Sequence, residues 1–230
     1  NGDCMENNNI IENENITENN TAAKQPKKKS KFVNDLLDIM ESTLITVFMV
    51  ILIMTYFLHP VQIEGSSMMN TLQPDDQVFM STVFFDLSYG DIVVIDNDCA
   101  YLMSDSKNVV KGSSGGYERC LIKRVIAEGG DVIDLNTETG AVTVNGNVLE
   151  EKFLGNTLTN TDYGAFRYPL TVPEGYYFVM GDNRNNSVDS RHPNVGFIKK
   201  NQVYGKVVMK YAEYDAETDT KKFSFKNLIY

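Results

Sequence analysis

Between Ser42 and Leu58 the chain carries no charged residue, and from Leu44 onward it is almost wholly apolar. As a helix this run would span about 25 Å, slightly short of a bilayer core. Leu36, Leu37, Ile39 and Met40 extend it on one side, with Asp38 and Glu41 at the interface, and Tyr56 and Phe57 suit an aromatic belt on the other. A cleaved leader would need a small-x-small site after the run, where the chain has Leu58-His59-Pro60-Val61. A buried helix of a soluble domain is the remaining alternative. The expectation is a single membrane anchor over residues 36–59. Lys24, Lys27, Lys28, Lys29 and Lys31 precede it, which puts the N-terminus in the cytoplasm and residues 60–230 outside the cell membrane.

The rest of the chain divides around that anchor. Residues 1 to about 23 are mostly Asn and Glu with no patterned apolar face, so the tail over residues 1–35 is expected to be disordered. The chain opens on Asn rather than Met, which leaves its true start open. Beyond Pro60 the pattern is β. Gln77 to Met80, Gly90 to Ile95, Cys120 to Ile126, Tyr176 to Met180 and Gln202 to Lys210 read as strands. Val132 to Leu135, Ala141 to Val144 and Val148-Leu149 are short strands between Gly- and Asn-bearing turns, a hairpin-rich insertion at about 132–175. Residues 96–119 are polar, with Gly112-Ser113-Ser114-Gly115-Gly116 read as a flexible loop.

Composition removes several function classes. A net charge of −10 leaves no basic face to release counterions from phosphate, so a nucleic-acid partner is not expected. Cys4, Cys99 and Cys120 are too few for a disulfide scaffold and are not spaced as a zinc site. Cys99 and Cys120 flank the polar excursion and are either bridged or free thiols. Neither a metal nor a cofactor is expected. Only His59 and His192 are available to a Ser-His scheme, one at the membrane exit and one in a Pro-containing loop.

Three stretches could carry chemistry. Val61 to Glu64 alternates like a strand and breaks at Gly65, whose conformational freedom can turn the following serines out of line. One of Ser66 and Ser67 is placed as a nucleophile, or both belong to an ordinary Gly-Ser turn. Lys123 shares a strand face with apolar Leu121 and Val125. It either snorkels to water or is desolvated, and desolvation would make it a neutral base. The run Gly181 to Arg191 is densely polar after a strand, a solvated loop or a support for a buried lysine, with Asp189 and Arg191 spaced to pair.

Taken together and in this order after an anchor, these stretches resemble the bacterial type I signal peptidases. The resemblance rests on Gly65-Ser66-Ser67-Met68 with Thr71-Leu72, Gly90-Asp91-Ile92-Val93-Val94, Lys123-Arg124-Val125 with Gly130-Asp131, and Gly181-Asp182-Asn183-Arg184 through Ser187 to Asp189-Ser190-Arg191. It implies a mainly β fold of coiled antiparallel sheets, of the kind shared with the SOS repressors, behind one transmembrane helix. It implies a Ser/Lys endopeptidase that removes signal peptides from exported preproteins after small-x-small sites, in contact with membrane lipid. Ser67 would be the nucleophile and Lys123 the general base. Ser187 would hydrogen-bond the lysine, and Asp189 with Arg191 would brace the site. The substrate would add as a strand beside Val61–Glu64 and the lysine strand, over pockets lined by Val61, Ile63, Met68, Leu72, Val94, Leu121 and Ile122.

The chain departs from the family pattern at Asn70, where proline is usual, at Asn185, where aspartate is common, and at His192 to Val195, which interrupt the glycine-rich continuation. Gly65 stands where one branch has an oxyanion-binding serine, so the Ser67 backbone N–H is the expected donor. Two other readings compete. One is a catalytically silent membrane-anchored scaffold in export or pilus assembly. The other is a peptidase of the same family dedicated to a few substrates.

Overall fold

The computed structural model describes residues 31–228, apart from 84, 85, 106, 107, 117, 156 and 216. The expected disordered tail therefore lies outside the described residues, except for its last few positions. The chain divides into two units, residues 1–46 and 47–230. One helix, α1 (Lys31–Tyr56), runs across that division. It is long and apolar enough to cross a membrane, and none of its residues is buried. It begins earlier than the expected anchor and ends sooner, because Leu58, His59 and Pro60 are already paired as a strand.

Fourteen strands follow among the described residues: β1 (Leu58–Gln62), β2 (Gln77–Ser81), β3 (Ile92–Asp96), β4 (Cys99–Met103), β5 (Val109–Ser113), β6 (Cys120–Glu128), β7 (Val132–Asn136), β8 (Ala141–Val144), β9 (Asn147–Val148), β10 (Leu170–Thr171), β11 (Tyr176–Met180), β12 (Ile198–Lys199), β13 (Val203–Asp215) and β14 (Thr220–Asn227). The main sheet has the order β1-β2-β13-β3-β6-β11-β12, with β14 on the far part of β13. All its ladders are antiparallel. The insertion forms a small sheet, β10-β7-β8-β9, and β4 pairs with β5 as a separate hairpin. That hairpin occupies most of the stretch read as a polar loop. Gly112 sits within β5, opposite Ala100.

Two apolar clusters cover opposite faces of the sheet next to Lys123. Ile63, Met68, Leu72, Val78, Met80, Ile92, Val94 and Val207 pack together, with Val61 and Ile122 at the margin. Leu87, Val93, Ile95, Leu121, Val125, Val179 and Ile198 form the other. Strand alternation sends neighbouring residues of β3 and β6 into different clusters, so β3 is buried on both faces and reads as a continuous apolar run.

Pairing along β6 is uneven, and this shapes the site. Its whole first half is bonded to β3, with Val93 opposite Lys123 and Asp96 opposite Cys120. On the other side β11 pairs only with Arg124 to Glu128. Residues 120–123 thus have an unpaired edge among the described residues.

Candidate active site

The stretch around Gly65 to Ser67 is shaped by its own packing. Pairing continues past β1, since Ile63 N–H donates to Asp76 O at 2.9 Å and Asp75 N–H donates to Ile63 O at 2.9 Å. Gly65 then takes φ 76°, the left-handed conformation expected of it. The turn beyond is closed by Thr71 and Leu72 N–H bonds to Met68 O, at 3.1 and 2.9 Å. Met68 and Leu72, four apart, are driven into the core, which leaves Ser67 on the outer side. Asn183, in the loop after β11, clamps the turn, donating its N–H to Ser67 O at 2.9 Å and Nδ2 to Ser66 O at 3.0 Å. Gly181 makes that approach possible. A Cβ there would run into Ser187 Oγ and Ser67 O.

Lys123 reaches the same point from β6. Its Nζ lies 2.7 Å from Ser67 Oγ and donates to Ile122 O at 2.9 Å. The side chain is 2% exposed. Burial pulls its pKa down from 10.5 to about 8, against the opposing pull of Asp189 and Glu118. Of the two readings open at the sequence level, desolvation is the one the fold imposes.

Three buried arginines form the wall behind this pair. Arg124 makes a bidentate pair with Asp182 at 2.8 and 2.6 Å and donates to Gly90 O at 2.6 Å. Thr71 Oγ1 donates to Asp182 Oδ2 at 2.5 Å, tying the serine turn to that pair. Arg191 makes the expected pair with Asp189, at 2.9 and 2.7 Å. Asp189 also accepts Gly181 N–H at 3.0 Å. Burial alone would raise its pKa, but the Arg191 charge and hydrogen bonds more than offset this and hold the carboxyl low. Arg184 pairs with Glu151 and donates to Thr159 Oγ1 at 2.9 Å. Phe153 lies under the Arg124 guanidinium, 3.9 Å from its carbon to the ring centre. In the sequence Thr71, Arg124 and Asp182 stand in the motifs of the resemblance with no role assigned to them, and Glu151 is not singled out, although a charge directly after Lys123 on a two-sided buried strand signals a need for a partner.

A cavity of about 220 Å³ opens onto the pair, lined among others by Glu64, Ser66, Ser67, Glu118, Leu121, Lys123, Tyr163 and Ser187. Of the seven residues expected to line substrate pockets, only Leu121 lines this cavity. Ile63, Met68, Leu72 and Val94 are buried in the cluster beneath the serine turn, and Val61 and Ile122 are at its edge. Ser187 lines the cavity, but the hydrogen bond to Lys123 implied by the resemblance is not formed, and its buried Oγ has no partner among the described residues. The Lys123 Nζ is turned to Ile122 O instead.

Neither histidine lines the cavity. His192 Nδ1 accepts Asn194 N–H at 3.1 Å, and His59 lies on β1. Cys99 and Cys120 are free thiols. Asn185 uses both ends of its amide, accepting from Asn160 N–H at 3.0 Å and donating to Leu158 O at 3.0 Å, which an aspartate could not do. Asn70 takes φ 95°, a conformation closed to proline, so the turn after Ser67 follows a different backbone path rather than a looser one.

Comparison with known proteins shows the family of the chain. The family described as "Signal peptidase, peptidase S26" matches residues 36–212. The signal peptidase I of Bacillus licheniformis is 34% identical over 193 residues, covering 80% of this chain and 91% of that protein. Signal peptidase I T of Bacillus subtilis strain 168 is 30% identical over 211 residues, covering 86% and 95%. A solved signal peptidase I from Enterococcus faecalis V583 is 27% identical, covers 54% of this chain and 98% of its own, and superposes with a TM-score of 0.39.

Proposed function

The chain belongs to the signal peptidase family, peptidase S26, and on that premise we propose that it is a membrane-anchored serine endopeptidase with Ser67 as nucleophile and Lys123 as general base. It is a hydrolase acting on signal peptides of exported preproteins, and the reading adds that it cuts after small-x-small sites. One observation carries the catalytic assignment. A lysine with its pKa near 8 stands 2.7 Å from a serine hydroxyl at the floor of an open cavity.

In its neutral form Lys123 Nζ takes the Ser67 Oγ proton as Oγ bonds to the scissile carbonyl carbon. The Ser67 N–H, which has no acceptor among the described residues, is free to receive the developing oxyanion. The ammonium then protonates the leaving amine as the peptide C–N bond breaks. In the second half Lys123 takes a proton from water, whose oxygen displaces Ser67 from the acyl carbon, and the proton returns to Oγ. Asp189–Arg191 and Arg124–Asp182 act as positioning pairs. They fix the loop that clamps the serine turn, without touching the substrate. The unpaired edge of β6 at residues 120–123 supports binding of the substrate as an added strand.

The test uses the full chain in neutral detergent with a preprotein carrying Ala-x-Ala before its cut. Wild type should release a mature product whose N-terminus, read by mass spectrometry, follows the second Ala. Ser67→Ala should release none while keeping its thermal melt. Cleavage by Ser67→Ala at the wild-type rate would sink the assignment. A wild type that never cleaves would revive the silent-scaffold reading.

A further inference from the structure

The mouth of the cavity is acidic in a way the reaction does not require. Glu64 and Glu118 both line it, Glu64 directly before Gly65 of the serine turn and Glu118 two residues before the unpaired edge of β6 begins. Both are exposed. Neither forms an ion pair among the described residues, while the adjacent Arg119 is engaged with Asp96 at 3.0 Å. Ser187 adds an independent sign that a polar group is received here, since it lines the same cavity with a buried, unpartnered Oγ. The lysine at the floor does not neutralise the mouth once it has given up its proton.

We propose that Glu64 and Glu118 are specificity-determining residues that select preproteins with Lys or Arg between the two small residues and reject Asp or Glu there. The proposal rests on the peptidase reading above. Its geometry follows from alternation in an added strand. Ile63 is buried while Glu64 is exposed, so a peptide whose small residues face the Ile63 side presents its middle side chain on the Glu64 side. A cation there meets two unpaired carboxylates, and an anion is repelled by both.

Exposed pairs of this kind are each worth about two- to fivefold. The middle residue should therefore change kcat/KM by about tenfold between Lys and Glu at low ionic strength, with Gln between. Three otherwise identical Ala-x-Ala peptides, x being Lys, Gln or Glu, are offered to the full chain in neutral detergent. Kd is measured in parallel on Ser67→Ala. The order Lys, Gln, Glu should hold in both readouts, shrink at about 0.5 M salt, and fall toward equality in Glu64→Gln/Glu118→Gln. Equal rates and equal Kd for the three peptides, or an order that survives in the double variant, overturn the inference. If the order holds in binding but the wild type cuts none of the peptides, the selectivity stands and the Ser67/Lys123 chemistry falls.

Discussion

An ammonium on β6 at position 123 would sit beside Leu121 and Val125, with Val93 paired opposite, and burial there brings its pKa from 10.5 to about 8. The base role proposed for Lys123 predicts a rate that rises with pH through a limb near 8, where the amine becomes neutral. Stopped or fluorogenic assays of kcat/KM from pH 6 to 10 should locate that limb. A limb near pH 6.5, the range of an ordinary histidine, would remove Lys123 from the role. The same shift has a stability sign. With the folded pKa below the unfolded one, the unfolded chain binds more protons between about 8 and 10.5, so stability rises with pH across that window. Below pH 8 the charged lysine costs the fold about 3 kcal/mol. Lys123→Met should accordingly melt higher than wild type at pH 6–7 and lose that advantage as pH approaches 10. Equal melts throughout would mean that the lysine is hydrated. The alternation that put Lys123 on an apolar face was legible in the sequence. Its desolvation was not, because that depends on β3 and on Ser67, 56 residues away.

The turn after Ser67 is an element where local sequence and family resemblance point in different directions. Resemblance leads to proline at position 70, but Asn70 sits at φ 95°, with Nδ2 donating to Leu154 O at 3.4 Å. Restoring the family residue by Asn70→Pro should therefore lower the melting temperature, by more than about 1 kcal/mol in stability, and cut activity by displacing Ser67, three residues earlier in the same turn. Asn70→Gly should be tolerated, since glycine takes positive φ without strain. Thermal melts and cleavage rates of the two variants decide it, and an active, stable Asn70→Pro would show that the turn can adopt the other path. Strands with buried, apolar-rich patterns (β3, β6, β11) could be read from the chain. The β4–β5 hairpin and β14 could not, because Lys111, Gly112 and the lysines of Thr220–Asn227 mimic loop composition, and Val110, Phe223 and Phe225 face outward. Asp189 and Arg191 were readable as a pair two residues apart. Arg124–Asp182 was not, since its partners meet only when β6 and the polar loop after β11 come together.

At the scale of the molecule, α1 has no buried residue and leaves most of its apolar surface exposed, a state that water does not favour and a bilayer does. Its length, 26 residues, corresponds to about 39 Å of helix, enough to cross the hydrocarbon layer with its polar first turns at one interface. Which interface is a matter of charge. The lysines at 24–31 stand on one side of the span, while the chain as a whole carries −10. Retention of a basic flank in the cytoplasm predicts that residues after Pro60 lie outside, the side on which the proposed site would meet preproteins. A reporter that functions only after export, fused behind Pro60, should be active, and one that functions only in the cytoplasm should be silent. Replacing Lys24, Lys27, Lys28, Lys29 and Lys31 by Gln should weaken that bias and raise the cytoplasmic signal. A wild-type fusion active in the cytoplasm would overturn the orientation, and with it the place where Ser67 meets its substrates.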